Sequence, residues 1–252
     1  RNDKKIKLIG ATHSDLEKIE ILTTKPHGII LASGPTGSGK TTTLYSIINK
    51  VNSDVINITT VEDPVEIKID GINQVQVNPK ADITFASCIR SILRQDPDII
   101  MIGEIRDWET LETAINAAIT GHLVLSTIHT NSAASTVTRL VEMGAPPYLI
   151  ASALEGVISQ RLLRKLCPKC KQVHEPTEKE LRYITVSNDE REEFLNNKIY
   201  KAKENGCEFC NNTGYTGRIG IYEVLLVNRE IKKLIAAQAT EQEIEEIAVS
   251  CG

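Results

Sequence analysis

Residues 28–160 alternate between apolar runs and segments in which apolar side chains have helical spacing. The apolar runs are rich in β-branched residues. They cover 28–33, 55–61, 98–103 and 123–128. A strand that is buried on both faces requires a continuous run of this kind. Helical spacing occupies Phe85–Gln95 and Thr110–Thr120. The alternation predicts an α/β fold in which helices cover a largely parallel sheet.

The pattern changes on both sides of this region. Ser14–Glu17 predicts the start of a short helix, and 65–77 predicts extended chain or a hairpin around Asp70-Gly71. Near residue 165 a segment rich in Glu, Lys and Asn begins, and after it a strand-like stretch leads into a helical, acidic end. We therefore predict three regions: a core at 1–165, a cysteine-containing module at 166–217, and a return to the core with a partial helical region at 218–252.

Composition sets limits on what the chain can do. Of its 252 residues, 41% are hydrophobic and 25% are charged, as in globular proteins. The net charge of −4 gives no electrostatic support for nucleic-acid binding. No apolar stretch approaches the roughly 20 residues that span a bilayer, and no signal peptide is visible, so we expect a cytoplasmic chain with reduced thiols. Because the chain starts at Arg1 and stops after a charged helical segment, we also expect it to be part of a longer protein.

The first apolar run leads into a glycine-rich segment that matches G-x-x-x-x-G-K-T at every fixed position. Its residues are Gly34, Pro35, Thr36, Gly37, Ser38, Gly39, Lys40 and Thr41, and Thr42 continues it into a helical stretch. A strand before such a loop and a helix after it turn backbone N–H groups toward the phosphates of a nucleotide. We predict that Lys40 binds the β- and γ-phosphates and that Thr41 binds Mg²⁺. The alternative is a chance glycine-rich turn, and the flanking elements argue against it.

Carboxylates follow two of the predicted strands. Glu104 ends the run at 98–103, at the sheet edge where open α/β sheets bind ligands. We predict that it serves Mg²⁺ through water, and a solvated strand-end acid is the alternative. Glu62, Asp63 and Glu66 follow the run at 55–61. Carboxylates this close repel each other unless cationic groups compensate, so they indicate either a group that orients water or an exposed acidic turn.

Two histidines and two arginines are further candidates. His122 and His129 bracket the run at 123–128, and either one could contact the γ-phosphate while the other packs structurally. Arg90 and Arg94 share one helical face. There they form surface ion pairs or stabilise the charge of a transferring phosphoryl group. Spacing alone leaves both alternatives open for each pair.

Two C-x-x-C pairs, Cys167 with Cys170 and Cys207 with Cys210, match a tetrahedral Cys₄ zinc site. The segment between the pairs is longer than usual, so the site requires an inserted excursion. Four thiolates leave no open position for water, so the zinc would be structural. A redox-active pair is the alternative. The presence of two such pairs, without a thioredoxin-like context, argues against it.

In combination these motifs resemble the bacterial secretion ATPase superfamily, and within it the type II secretion and type IV pilus assembly ATPases. The resemblance covers essentially the whole chain. It rests on the segments GPTGSGKTTTLY at 34–45, TVEDPVE at 60–66, RSILRQDPDIIMIGEIRD at 90–107 and TGHLVLSTIHTN at 120–131. It implies a RecA-like P-loop ATPase core. The four-cysteine module points to the assembly and secretion branch, because the pilus-retraction branch lacks it.

The resemblance also implies roles for individual residues. Gly34–Thr41 match the Walker A loop, and Glu62–Glu66 match the family's aspartate box, in which Glu66 has the position of the catalytic base. Glu104 matches the Walker B carboxylate, and a histidine box contains the two histidines. In the family's hexamers, arginines approach the nucleotide, and a preceding domain supplies more of them. The matching arginines are Arg90, Arg94 and Arg218. The catalytic residues that the resemblance implies are Lys40, Glu62, Glu66, Glu104 and His129, with His122 among the nucleotide-binding residues.

The function implied is Mg²⁺-dependent ATP hydrolysis by a homo-hexamer that also holds Zn²⁺. It would power pilus or pseudopilus assembly, or type II protein secretion, with inner-membrane platform proteins at the cytoplasmic face. One alternative is a nucleic-acid-translocating or conjugation-type ATPase. The acidic balance and the lack of a basic stripe with interleaved aromatic residues argue against it, so no nucleic-acid partner is expected. Another alternative is a zinc-stapled adaptor that binds nucleotide without turnover, which complete Walker A and B elements disfavour.

Overall fold

The computed structural model describes Ile6, residues 8–181, Leu195 and residues 198–251. The chain divides into two units. Arg1–Leu162 and Gly220–Gly252 form the first unit, and Leu163–Ile219 form the second. The predicted limits of the cysteine module, 166 and 217, lie within a few residues of the second unit's ends.

A seven-stranded sheet organises the fold. Its strands are β1 (Gly28–Ser33), β2 (Ile58–Glu62), β3 (Asn73–Gln76), β4 (Ile99–Ile102), β5 (Leu123–Ile128), β6 (Leu154–Leu166) and β9 (Tyr215–Leu226). Their spatial order is β3-β2-β4-β5-β1-β6-β9. The strands from β1 to β6 pair in parallel, and β1 lies between β5 and β6. The predicted α/β class with a largely parallel sheet is therefore confirmed.

Helices connect and follow the strands. They are α1 (His13–Thr23), α2 (Lys40–Val51), α3 (Phe85–Ile92), α4 (Trp108–Ile119), α5 (Ala133–Glu142), α6 (Pro147–Ala153), α7 (Glu178–Leu181), α8 (Arg229–Ala236) and α9 (Glu241–Ser250). Short 3₁₀ turns occupy Pro79–Ala81, Leu93–Gln95 and Glu208–Cys210. The predicted helix at 85–95 thus ends as a 3₁₀ turn, and the helical end of the chain is confirmed.

The core has two parts, because successive residues of a strand point to opposite faces of the sheet. In β1, Ile29 and Leu31 belong to one cluster of buried residues, together with side chains of α3 to α6, α8 and α9. Ile30 and Ala32 belong to the other cluster, together with side chains of α1 and α2. All six residues of β1 are buried. A strand that delivers a loop between two helical layers must be apolar on both faces, as β1 is.

Two local predictions were wrong, and of the two alternatives for 65–77 the structure shows extended chain, as β3. The second strand begins at Ile58, and Val55 is 88% exposed in the turn before it. The hairpin around Asp70-Gly71 is absent, because β3 pairs in parallel with β2 instead of returning antiparallel. The first helix is capped by Thr12, whose hydroxyl accepts from the backbone N–H of Asp15, and not by Ser14.

The second unit has its own small sheet. Strands β7 (Gln172–His174) and β8 (Ile199–Lys201) pair antiparallel. The backbone N–H of Cys167 donates to the carbonyl of Gly214 at 2.9 Å, and this bond brings the start and the end of the unit together. Three cation–π contacts add to it: Arg164 with Tyr215, Lys169 with Phe209, and Lys171 with Tyr200.

Candidate functional site

The glycine-rich loop joins β1 to α2 with the backbone conformation that its motif requires. Gly34, Gly37 and Gly39 have φ values of 139°, 76° and 89°, which residues with a side chain rarely adopt. A Cβ at Gly34 would also lie 2.3 Å from the carbonyl oxygen of Gln160. Because α2 begins at Lys40, directly after Gly39, the loop ends at a helix N-terminus, where backbone N–H groups attract phosphate.

The Lys40 side chain folds back onto this loop. It is buried, and its Nζ donates to the carbonyl oxygens of Gly34 at 2.9 Å and Pro35 at 3.1 Å. Burial lowers the pKa of Lys40, and the Glu104 carboxylate opposes that shift. Phosphate oxygens are stronger acceptors for an ammonium group than neutral carbonyls are. The loop and its lysine therefore fit a nucleotide phosphate.

A glutamine that the sequence analysis missed braces the loop from β6. The Gln160 Nε2 donates to the Ser38 carbonyl at 2.6 Å, and its Oε1 accepts from the Thr43 hydroxyl at 2.7 Å. Gln160 is buried. The buried Ser38 hydroxyl makes no hydrogen bond within the described part of the chain, so it is available to a ligand. The signal in the sequence was a polar pair, Ser159-Gln160, directly after apolar residues of a strand.

Glu104 lies just beyond β4, at the same carboxyl edge of the sheet as the loop. Its carboxylate is 2.5 Å from the Arg106 Nε and 3.9 Å from the His129 Nε2, and its side chain is 14% exposed. Glu104 and Lys40 act on each other electrostatically, and both act on His129. The structure therefore brings Lys40, Glu104 and His129 together. Arg106, which the sequence analysis did not single out, is the cation that pairs with Glu104.

The environment of His129 favours its neutral form. Burial lowers the pKa of His129, the positive charges of Lys40 and Arg106 lower it further, and the Glu104 carboxylate opposes them. A neutral imidazole has one donor and one acceptor nitrogen. The neutral form of His129 therefore adds no positive charge to this edge of the sheet.

Glu62 ends β2 as a buried carboxylate with every oxygen engaged. The Tyr45 hydroxyl donates to Oε2, and the Thr60 hydroxyl at 2.5 Å and the Gln74 Nε2 at 3.0 Å donate to Oε1. Glu62 is 2% exposed. Such a carboxylate organises its surroundings, and it is poorly placed to take a proton from water.

Glu66 has the opposite environment. It lies in the loop between β2 and β3 and is exposed. The carbonyl oxygen of the next residue, Ile67, accepts a hydrogen bond from the Gln74 Nε2 at 3.0 Å. The Glu66 side chain is therefore open to water at the end of a tethered loop, and its role as a base stays a prediction.

Three of the four remaining candidates have their contacts away from the loop. His122 precedes β5 at the amino edge of the sheet, and its Nδ1 lies 2.9 Å from the Ala117 carbonyl oxygen. Arg90 pairs with Glu109 at 3.2 Å. Arg94 donates to the carbonyl of Arg90 at 3.0 Å, and Arg218 belongs to the second unit. The structure does not bring His122, Arg90 and Arg94 to the loop of their own chain, and their nucleotide roles stay predictions.

Two of the residues present fit Mg²⁺. The ion prefers oxygen ligands and usually takes one or two protein groups along with substrate phosphates and water. Thr41 presents its hydroxyl in the first turn of α2 and is half-buried. Glu104 supplies a carboxylate at the same edge. One hydroxyl and one carboxylate are too few ligands for Mg²⁺ by themselves, so phosphate oxygens and water would have to supply the others.

The four cysteines of the second unit converge. All four Sγ atoms lie within 4.8 Å of one another, and three separations are 3.8 or 3.9 Å. Tetrahedral zinc with Zn–S bonds of about 2.3 Å separates its sulfurs by about 3.8 Å. A bonded disulfide has an S–S length of about 2.05 Å. The arrangement fits one Cys₄ metal site better than two independent redox pairs.

The thiols of this cluster differ in acidity. Burial opposes ionisation of Cys210, but N–H groups of Cys207 and Gly214 outweigh it and lower the pKa of Cys210 to about 6. Burial and hydrogen bonds from the other thiols raise the pKa of Cys170 to about 12. Thiolates are the form that binds metal, and N–H donors aimed at a sulfur favour that form.

Comparison with known proteins decides the family. The family model described as type II/IV secretion system protein matches residues 2–251. The chain belongs to this family. This chain is 52% identical over 237 residues to the type II secretion system ATPase E of Vibrio cholerae. The match covers 94% of this chain and 46% of that protein. The chain is 49% identical to the type IV pilus assembly ATPase PilB of Thermus thermophilus, covering 95% of this chain and 26% of that protein. It thus spans about half or less of the curated relatives it matches.

Solved structures agree with this family assignment. The pilus retraction motor PilT with bound ADP has a TM-score of 0.69 at 31% identity, covering 96% of this chain and 58% of that chain. The ATPase DotB of Legionella pneumophila has a TM-score of 0.61 at 25% identity, with coverages of 97% and 58%. Both support the predicted ATPase core. Within the described residues of this secretion-system chain, no helix combines the length and apolar character needed to cross a bilayer.

Proposed function

We propose that this chain forms the catalytic part of a hexameric, Mg²⁺-dependent ATPase. Hydrolysis of ATP by this hexamer powers pilus or pseudopilus assembly, or type II secretion, at the cytoplasmic face of the inner membrane. The observation that carries the proposal is the complete glycine loop with Lys40 buried beside Glu104 at one sheet edge. The relatives named as secretion and pilus assembly ATPases support the proposal that hydrolysis is used for secretion or pilus assembly.

Binding of ATP would use groups that are already in place. The loop N–H groups and the N-terminus of α2 receive the phosphates, and Lys40 exchanges its two carbonyl acceptors for phosphate oxygens. Thr41 and Glu104 would hold Mg²⁺. When bound, Mg²⁺ supplies charge neutralisation at the phosphates. Arg106 pairs with the Glu104 carboxylate at 2.5 Å and holds it in position.

Hydrolysis requires a group that orients and deprotonates water. Glu66 is the better candidate because its side chain is exposed, whereas both oxygens of Glu62 already accept hydrogen bonds. His122, Arg90, Arg94 and Arg218 would then act between subunits, where neighbouring chains of a ring meet. The four cysteines would hold one structural zinc ion in the second unit.

The test uses the full-length protein with Mg²⁺ and ATP. Glu66→Gln should leave ATP binding intact and reduce turnover by roughly 100-fold or more, because the general base is lost. Glu112→Gln, at an exposed position of α4, is the matched control and should turn over like the wild type. If Glu62→Gln has the large effect and Glu66→Gln almost none, the base has been assigned to the wrong carboxylate.

The same preparation separates the alternatives. A nucleic-acid motor requires salt-sensitive stimulation of hydrolysis by DNA, which we do not expect. An adaptor binds ATP without a single turnover. Measurement of particle mass with ATP and Mg²⁺ tests the ring, and a monomer under these conditions would contradict the hexamer.

A further inference from the structure

Three elements meet at the buried carboxylate of Glu62. Tyr45 comes from α2, Thr60 from β2 itself and Gln74 from β3. Tyr45 is 5% exposed and Thr60 is fully buried. Burial and the hydrogen bond to Glu62 raise the pKa of Tyr45 to about 12, so its hydroxyl stays protonated and donates to the carboxylate. Tyr45 and Thr60 lie in the segments at 34–45 and 60–66, but the sequence assigned no role to either of them or to Gln74.

The partners of Glu62 also hold the loop that carries Glu66. The Gln74 Nε2 donates to the Ile67 carbonyl at 3.0 Å, and the Gln74 Oε1 accepts from the backbone N–H of Ile69 at 2.8 Å. The Tyr45 hydroxyl belongs to the same network through Glu62, to which both Tyr45 and Gln74 donate. The cluster therefore holds the backbone of the residues that directly follow Glu66.

The other end of this connection is the phosphate loop. Tyr45 lies in α2, which begins at Lys40, so it is a little over one helical turn beyond the phosphate-binding lysine. The hydrogen bonds that run from Tyr45 through Glu62 and Gln74 to the Ile67 backbone connect this helix to the loop that carries Glu66. The exposed Glu66 side chain cannot be positioned by packing contacts of its own, so its position depends on the backbone of its loop.

We propose that Tyr45 and Gln74 are positioning residues that hold the Glu66 loop in register with the phosphate loop, with Glu62 as the shared acceptor. This rests on the proposed function, in which Glu66 is the base. Loss of the Tyr45 hydroxyl lets the Glu66 loop move while the phosphate loop stays intact. Turnover then falls and nucleotide affinity does not, because a base even 1 Å out of place is much less effective.

The experiment is a double-mutant cycle in the full-length ATPase with Mg²⁺ and ATP. Tyr45→Phe keeps the ring and removes the hydroxyl, and we expect kcat to fall about 10-fold or more with KM for ATP changed less than about twofold. Gln74→Ala should give the same split. In a Glu66→Gln background, Tyr45→Phe should cost nothing further, because the base it positions is already gone. Tyr148→Phe, on the exposed surface of α6, is the matched control.

The outcomes separate the two claims. If Glu66→Gln keeps wild-type turnover, the base assignment fails, and the positioning role fails with it. If Glu66→Gln is inactive but Tyr45→Phe and Gln74→Ala keep wild-type kcat, the positioning role alone is overturned. A purely structural role would raise KM and lower the melting temperature, and its effect would persist in full in the Glu66→Gln background.

Discussion

At the scale of single residues, hydrogen bonds distinguish the carboxylates of Glu62 and Glu66. Glu62 and Glu66 look alike in the sequence, since both are acids in one short acidic segment. In the structure one is buried with three donors and the other is exposed on a tethered loop. A carboxylate that accepts several hydrogen bonds is held in one orientation, whereas an exposed one remains free to meet water.

Lys40 gives a prediction at the same scale. Lys40→Ala should reduce hydrolysis by at least about 100-fold and weaken ATP binding, because the phosphates lose their main cationic partner. ADP release and equilibrium titration with ATP measure the two effects. Lys50→Ala, in the last turn of the same helix, is the control and should leave both unchanged. Wild-type turnover in Lys40→Ala would refute the assignment of the loop.

At the scale of elements, the pairing of β3 shows what a local pattern leaves open. The Asp70-Gly71 pair is typical of a hairpin turn, yet β3 pairs with β2 in parallel. In this arrangement the Gln74 amide contacts Glu62 and the backbone at Ile67 and Ile69. A turn signal contains no information about such contacts or about the strand with which β3 pairs.

A second feature of this scale joins β6 to the C-terminal helices. The buried Glu155 carboxylate accepts from Lys232 of α8 at 2.6 Å and from Lys25 at 2.8 Å. Burial opposes ionisation of Glu155, but the two lysines outweigh it and lower the pKa of Glu155 below its ordinary 4.5. The bridge therefore stabilises the fold wherever the carboxylate would already be charged in the unfolded chain.

Glu155→Gln should lower the free energy of unfolding by about 1–2 kcal/mol at pH 7. The estimate is modest because the lysine side chains are 33% and 38% exposed and water screens them. The pKa of Glu155 is lower in the folded protein than in the unfolded chain. The difference in free energy of unfolding between the wild type and Glu155→Gln should therefore be complete above about pH 4.5 and shrink as the pH falls below that value. Urea unfolding across this pH range measures it.

The control for this bridge is Glu142→Gln. That residue pairs with Arg139 on the exposed face of α5, and its loss should change stability by less than about 0.5 kcal/mol. A Glu155→Gln deficit that stays the same well below pH 4.5 would show that packing, and not charge, is what the substitution removed.

At the scale of the whole molecule, the chain folds as two units with different sources of stability. The first unit has a large apolar core on both faces of its sheet. The second has a two-stranded sheet and a cluster of four sulfurs. A two-stranded sheet is marginal by itself in water. Metal binding at the sulfurs would therefore contribute directly to the folding free energy of this unit.

Removal of zinc, or Cys207→Ser, should unfold the second unit first while the loop at 34–41 keeps its affinity for ATP. Turnover should fall more than binding, because Arg218 lies in the unit that unfolds. Limited proteolysis, ATP titration and metal analysis test this. Cys251→Ser, at an exposed thiol outside the cluster, should retain one zinc ion per chain. Less than half an equivalent of zinc in folded wild-type protein would refute the site.

The sequence by itself determined the α/β class and the strand that leads into the glycine-rich loop. It also determined that this loop and Glu104 lie at the same edge of the sheet. Each of these depends on short-range rules: β-branched runs make buried strands, positive φ requires glycine, and strands of a parallel sheet end at one edge. The convergence of the cysteines was also predictable, because two C-x-x-C pairs have a simple joint geometry.

Only the tertiary structure decided which groups meet. Gln160 under the loop, and Tyr45 with Gln74 around Glu62, come from different elements of the chain. Arg106 is only two residues from Glu104, but the sequence did not show that their side chains pair. The tertiary structure also placed His122 at the amino edge of the sheet and Arg90 on a surface ion pair. The physical reason is that burial and hydrogen bonding depend on neighbours that pack from other elements, and a residue's type and spacing do not specify those neighbours.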